Sequence, residues 1–241
     1  LDRAIHHAIE GEAVARAGEL VFMGVPEYTT SGRNATLTRW LDRLGKDAVA
    51  SDPALSLSAA AAAATRGAAA EASHWVAVAA SLLDRMGESP KRDALTSTQA
   101  LIEAVLGRQG VEGMSERSAV ASALLPDESP WLSVACMLDG VGLHLRGFRK
   151  RAHERLSEGA RRGAVAVSNI QVLCLAQLAL LAGEEDDWQR AEVLVSQGRA
   201  QIERCGLGDY PTIALGVAVS ALVRAQGGKV EKAAADLRQA T

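Results

Sequence analysis

Histidine side chains come nearest to a metal-binding pattern in this 241-residue chain. His153 and Glu154 begin the sequence of a zinc-binding helix, which needs a second histidine one turn later, and none follows. His6 and His7 form a lone pair, which is typical of a solvated or partly buried helix face. The sequence therefore predicts no metal site, and metal binding by either pair is the less favoured alternative.

The sequence also lacks the motifs that are typical of nucleotide binding and of serine hydrolases. A phosphate-binding loop needs a hydroxyl residue directly after Gly-Lys, but the pairs at 45–46 and 228–229 are followed by Asp47 and Val230. The segment Asp139–Gly142 suggests a glycine-rich loop, yet no predicted strand precedes it, so close helix packing is the better interpretation. No Gly-x-Ser-x-Gly elbow is present. We predict that the chain is not an enzyme and holds no cofactor of its own.

The cysteines and one asparagine are interpreted as structural residues. Cys136, Cys174 and Cys205 are widely spaced, each within a helical pattern, and are predicted to be buried, reduced thiols of a cytoplasmic protein. Asn34 begins a glycosylation sequon by its letters, but we predict that it is the N-cap of a helix that runs through Trp40.

The composition indicates what kind of elements must position these groups. Hydrophobic residues make up 48% of the chain, aromatic residues only 3%, and alanine is abundant, with an unbroken run at 59–64. This balance favours helices over strands. The net charge of −3 argues against a chain that binds nucleic acid over its whole surface. Neither a signal peptide nor a membrane-spanning apolar stretch is recognisable.

Short turns between helical patterns recur about every 40 residues, which is the period of an α-solenoid built from helix–turn–helix hairpins. The predicted turns are centred on Gly67, Gly110, Gly147, Asp186 and Gly228. The fold prediction is therefore all-α: a right-handed superhelix of about five hairpins over residues 51–241, preceded by a helical lead-in over residues 1–50.

Four of the predicted turns share one register, with a small residue seven positions before the turn and alanine five positions after it. The matching sets are Ala60, Gly67 and Ala72; Gly140, Gly147 and Ala152; Ala179, Asp186 and Ala191; Ala221, Gly228 and Ala233. This register resembles the tetratricopeptide repeat. The unit around Gly110 departs from it, with Glu103 and Ser115 at the small positions.

The order of segments resembles the helical region of MalT-like, LuxR-family transcriptional regulators. The segments that carry the resemblance are 4–11, 17–20, 35–44, 53–55, 208–211 and 218–223. The resemblance implies a longer parent protein with an upstream ATPase that binds ATP and a downstream helix-turn-helix that binds DNA. Because Leu1 is not methionine and Thr241 falls within a helical pattern, we expect an excised fragment whose lead-in joins that ATPase.

The first helix of each hairpin usually lines the concave face of a solenoid, where a ligand would lie. We therefore predict an effector groove formed by inward residues and by nearby polar or aromatic residues. They are Trp131, Met137, Val141, His144, Asn169, Gln171, Leu173, Ala176 and Tyr210. The alternative is ordinary packing between repeats. A basic run is a second candidate, as a contact with another module or with DNA phosphates, or simply as a solvated helix face. It comprises Arg146, Arg149, Lys150, Arg151 and Arg155.

The predicted function is an effector-sensing and protein-interaction module of such a regulator. Its partner would be an unidentified small molecule or protein, with DNA bound only through the downstream module, no membrane contact, and self-association as an open alternative. The competing hypothesis is a free-standing tetratricopeptide scaffold that binds a peptide of a partner protein.

Overall fold

A computed structural model describes residues 1–30, 32–208 and 213–240, and in them it contains fourteen α-helices and no strand. The helices are α1 (Asp2–Glu10), α2 (Val14–Thr30), α3 (Asn34–Leu44), α4 (Lys46–Ser51), α5 (Pro53–Thr65), α6 (Ala69–Leu83), α7 (Pro90–Leu106), α8 (Gly110–Leu124), α9 (Trp131–Leu145), α10 (Arg149–Ala166), α11 (Ser168–Glu184), α12 (Trp188–Cys205), α13 (Ala214–Gln226) and α14 (Val230–Ala240). The predicted all-α fold of helical hairpins is confirmed. None of the described helices combines the length and apolar character needed to cross a membrane.

The chain divides into two compact units. The first comprises residues 1–108 with 123–125, and the second comprises residues 109–122 with 126–241. The first unit therefore contains both the predicted lead-in and the repeat helices as far as α7. The predicted boundary at residue 51 lies inside this unit.

Helix α5 is the centre of the first unit, where it packs against α2, α3, α4, α6 and α7. The alanine run explains this position, because methyl side chains on every face let five neighbours approach one helix axis. The two serines of α5 are also fully buried. Their hydroxyls donate to backbone carbonyls, Ser56 to Val49 and Ser58 to Ala54, both at 2.7 Å. Burying them therefore leaves no hydroxyl unpaired.

The second unit is built on three consecutive hairpins, α9–α10, α11–α12 and α13–α14. Within each hairpin we call the earlier helix the first helix and the later one the second helix. The first helix α11 packs against its own second helix and also against α9, α10 and α13. Because α9 and α11 are apolar on most faces, each can be buried between neighbouring helices.

Four hairpins share the same turn, which confirms the predicted register. In each turn, one residue adopts a left-handed backbone conformation, and we call it the turn residue. The turn residues are Gly67, Gly147, Asp186 and Gly228, with φ of 74°, 82°, 60° and 74°. In the second of these turns, Gly147 N donates to the His144 carbonyl and Phe148 N donates to the Leu143 carbonyl. The other three repeat this pair of bonds, which is the Schellman termination of a helix.

The predicted small positions are buried where first and second helices meet. Ala60, Ala179 and Ala221 lie in the core on the first helices, and Ala72, Ala152, Ala191 and Ala233 lie in the core on the second helices. Gly140 is the strictest case, because a Cβ there would lie 2.6 Å from Leu156 Cγ. Asp139–Gly142 is part of α9, so the interpretation as helix packing rather than a glycine-rich loop is confirmed.

The unit around Gly110 differs from the prediction in the position of its turn. Helix α7 ends earlier, at Leu106, and is capped by Gly107, whose φ is 58°. The small residue seven positions before this glycine is the buried Ala100. Gly110 has φ of 73° and is already the first residue of α8. The register therefore breaks between the two helices because the connection contains two left-handed glycines instead of one. Helix α7 belongs to the first unit, whereas residues 110–122 of α8 belong to the second.

Two predictions about single residues are wrong. Asn34 is the first residue of α3 rather than its N-cap, and its amide nitrogen donates to the Ala62 carbonyl of α5 at 3.0 Å. Cys205 is exposed at the last position of α12, beyond the packed part of that helix. Cys136 and Cys174 are buried free thiols as predicted, and burial raises the pKa of both, that of Cys174 to about 12.

Candidate functional site

A cavity of about 640 Å³ lies between the first helices of the second unit, and we call it the first-helix groove. Its walls come from α9, α11 and α13, with one aromatic residue from the start of α12. The lining residues are Val141, His144, Leu145, Gln177, Ala179, Leu180, Gly183, Glu184, Trp188, Leu222 and Val223. This volume falls in the range of small-molecule sites.

The apolar part of the groove follows from the repeat register. Val141, Leu180 and Leu222 each stand six residues before the turn residue of their hairpin, so equivalent positions of three successive repeats line the same cavity. Leu222 is 45% exposed and Leu145 is 65% exposed. The groove therefore presents large apolar side chains that the described residues leave exposed.

An ion-paired cluster borders the groove where α9 and α11 end. His144 Nε2 lies 2.9 Å from Glu184 Oε1, and because a carboxylate only accepts, this imidazole nitrogen is the donor. Arg149 of α10 contacts the other oxygen, Glu184 Oε2, at 3.2 Å. The carboxylate thus holds one residue of the predicted groove and one residue of the predicted basic run. The arrangement fixes a polar group beside an apolar surface.

Trp188 forms the aromatic wall of the groove. Its indole nitrogen donates to Asp186 Oδ1 at 2.7 Å, and the ring lies against Gly183, where a Cβ would be 3.0 Å from two ring carbons. The hydrogen bond to the turn residue and the contact with the glycine fix the position of the ring. This wall is therefore formed before any ligand arrives.

Of the predicted groove residues, Val141 and His144 line the cavity. Met137 lies one turn earlier on α9, and Leu173 lies near the start of α11; both are partly buried outside the cavity. Trp131 begins α9, and Tyr210 lies outside the described residues.

The two predicted polar anchors at the start of α11 also lie outside the cavity. Asn169 Oδ1 accepts from the backbone N–H of Ile170 at 3.0 Å. Gln171 Oε1 is buried and has no hydrogen-bond partner in the part of the chain that the structure describes.

Sequence analysis missed Leu145, Gln177, Leu180, Glu184, Trp188 and Leu222 as lining residues. The register would have found two of them, because Leu180 and Leu222 occupy the position of Val141 in the next two repeats. The register does not indicate Glu184, because the residue at the equivalent position of α9 is the apolar Leu145.

The residues of the basic run do not form one open patch, because most of them contact different partners. Arg155 donates to Asp139 Oδ2 at 2.8 Å and to Ser122 Oγ at 3.0 Å, so it is a packing residue of α10 rather than part of an open patch. Arg146 pairs with Glu112 at 3.2 Å. Arg151 lies over the Phe148 ring, and Lys150 is exposed with no ion-pair partner among the described residues.

The described residues hold no group of three or more histidine, cysteine or acidic side chains that could bind a metal ion. His153 Nε2 contacts the Arg190 guanidinium, and His6 Nδ1 contacts that of Arg43 at 3.1 Å. Since arginine only donates, both ring nitrogens act as acceptors in these contacts.

Comparison with known proteins supports the fold. Neither a protein-family model nor a curated protein sequence matches the chain. Among solved structures, the chain is similar to BtubC (BKLC) from P. vanneervenii, with a TM-score of 0.55 and 16% sequence identity. The match covers 98% of this chain and 89% of that one. At this identity the likeness extends to the helical fold alone.

Proposed function

We propose that this chain is a non-catalytic sensing and protein-interaction module of a LuxR-family transcriptional regulator, and that the first-helix groove receives its signal. The observation that carries the proposal is a cavity of about 640 Å³ lined by the first helices of three successive hairpins. A ligand there contacts three repeats at once. It therefore favours the arrangement of hairpins that offers the most contacts, provided that its affinity for the alternative arrangement is lower.

The lining chemistry suggests which ligands suit the groove. Val141, Leu180 and Leu222 would contact an apolar body, while the carboxylate of Glu184, held by His144, would accept a hydrogen bond from a ligand hydroxyl or amine. In this proposal, ATP and DNA are bound by other modules of a cytoplasmic parent protein. The chain itself supplies the response to the ligand.

A ligand screen with paired variants tests the groove. A library of small metabolites is screened by thermal shift against the wild type, and each hit is repeated on Leu222→Asp and on Val193→Asp. Leu222 lines the groove, whereas Val193 is a comparably exposed apolar residue on α12 outside it, 53% exposed. We expect the stabilisation to disappear in the first variant and to persist in the second. Hits that stabilise both variants equally would contradict binding in the groove.

The regulatory context is tested separately by sequencing the coding region on both sides of this chain. The proposal expects an upstream phosphate-binding loop and a downstream helix-turn-helix. Flanking sequence without either module would exclude the regulator and leave a helical binding module.

A free-standing scaffold that binds a peptide is the second candidate, and the exposure of Leu145 favours it. A side chain that is 65% exposed beside the groove suits the apolar side chain of a protein partner better than an enclosed small molecule. The two candidates differ in the flanking sequence and in whether any small metabolite gives a shift that depends on Leu222.

A further inference from the structure

A second cavity of the second unit, of about 500 Å³, lies between α10, α11 and α12, and we call it the basic cavity. Its floor consists of Leu178, Leu181 and Ala182 of α11, which are buried in the core. Its rim carries charged side chains from the first turns of α10 and α12. The rim residues are Arg149, Lys150, His153, Glu154, Glu185 and Arg190.

The cations on this rim are only partly compensated. Arg149 pairs with Glu184 at the edge of the first-helix groove. Lys150 has no ion-pair partner among the described residues, and Arg190 contacts the nitrogen of His153 rather than a carboxylate. Glu154 and Glu185 stand on the same rim and repel an anion, so Lys150 and Arg190 are the cations left to bind one. This arrangement favours a compact anionic group over an extended polyanion.

The first turn of α10 carries charges that do not favour the start of a helix. Residues 149–151 are all basic, and this turn has no acidic side chain and no side-chain cap. In the other three hairpins with the same turn, an acidic residue stands at or beside the start of the second helix: Glu71, Asp187 and Glu231. Positive charges at a helix N-terminus oppose the helix dipole. A local arrangement that works against stability is the kind expected at a binding site.

We propose that the basic cavity binds the phosphate group of a small ligand, with Lys150 and Arg190 as its principal contacts. Lysine and arginine form charge-assisted hydrogen bonds with phosphate oxygens, and the arginine fork can form two of them. Arg149 adds a third cation from the neighbouring position of α10. The site is separate from the first-helix groove and goes beyond the sensing function proposed above, because neither principal contact lines the groove.

The test is isothermal titration of the whole chain with inorganic pyrophosphate, with sodium chloride added so that the ionic strength stays constant. We expect saturable binding by the wild type. The double variant Lys150→Gln/Arg190→Gln should bind at least about tenfold more weakly, because it removes two charged contacts. Lys232→Gln is the matched control, since Lys232 is an exposed lysine in the first turn of α14, away from the cavity. It should bind like the wild type.

Melting temperatures separate lost contacts from lost folding. Both side chains are exposed, and the Lys150 change removes a charge that opposes the helix dipole, so the double variant should melt no lower than the wild type. Three results would overturn the proposal: no saturable binding, equal binding by the double variant, or an equal loss in the Lys232 control. Binding of a 20-base-pair DNA duplex that depends on Lys150, without pyrophosphate binding, would also overturn it and assign the cations to nucleic acid.

Discussion

At the scale of single residues, two buried glycines of the second unit differ sharply in the space around them. Gly140 lies so close to Leu156 that any side chain at position 140 must displace Leu156. Gly198 of α12 is also buried, yet a Cβ there would lie 4.0 Å from the nearest side-chain atoms. The two glycines therefore have different physical roles despite similar burial.

We predict opposite effects for alanine at these two positions. Gly140→Ala should lower the free energy of unfolding by about 1–3 kcal/mol, because the new methyl group overlaps Leu156 in the core. Gly198→Ala should raise it by about 0.5–1 kcal/mol, because alanine costs less helix entropy and has room. Denaturant unfolding measures both. Equal effects would contradict the difference in packing.

At the scale of elements, the short helix α1 is held to α2 and α3 by polar clusters at both of its ends: Arg43 contacts Glu10 and His6 at one end, and Tyr28 and Arg33 contact Asp2 at the other. The Tyr28 hydroxyl donates to Asp2, and Arg33 pairs with Asp2 and with Glu27. Tyr28 is fully buried. Burial and the hydrogen bond to Asp2 both raise the pKa of its hydroxyl, to about 12. Because α1 buries little besides Ile5, these polar contacts help to position it.

The raised pKa of Tyr28 predicts a loss of stability at alkaline pH. The unfolded chain releases the phenol proton near pH 10, whereas the folded chain keeps it until about pH 12, so unfolding becomes easier as the pH rises through this window. Tyr28→Phe should cost about 0.5–1.5 kcal/mol at pH 7, where it loses only a hydrogen bond.

Above pH 10 the difference between wild type and Tyr28→Phe should shrink, because phenylalanine does not titrate. Denaturant unfolding at pH 7, 9, 10 and 11 measures it. A constant difference across this range would show that Tyr28 does not contribute to the alkaline loss.

At the scale of the whole molecule, charge is close to balanced, with 26 basic and 29 acidic residues. Several cations of the basic run are also neutralised locally, Arg146 by Glu112 and Arg155 by Asp139. Tight non-specific binding to nucleic acid needs many free cations on one surface. The proposed regulator therefore needs another module to contact DNA.

We predict that this chain shows no saturable binding to a 20-base-pair duplex at concentrations up to about 0.1 mM in physiological salt. Fluorescence anisotropy of a labelled duplex measures it, and a salt titration serves as the control. Binding that weakens steeply with salt would show that the basic run is a DNA contact after all.

The hairpin repeats can be recognised in the sequence alone, because a Schellman turn and its flanking small residues are local features. Glycine or aspartate at the turn and alanine or glycine at fixed distances appear directly in the letters, as at Gly147 and Ala152. Resemblance and register also pointed to the first helices as the ligand face. Two lining residues of the groove, Val141 and His144, could therefore be predicted from the sequence.

Which side chains meet depends on how the helices pack. Glu184 joins His144 to Arg149 across three helices, and no spacing in the sequence indicates that contact. The exposure of Cys205 and the basic cavity between α10, α11 and α12 likewise depend on how neighbouring helices end and pack. The hydrogen bonds of a turn connect residues within five positions in the sequence, whereas a binding surface is made by residues about 40 positions apart that only packing brings together.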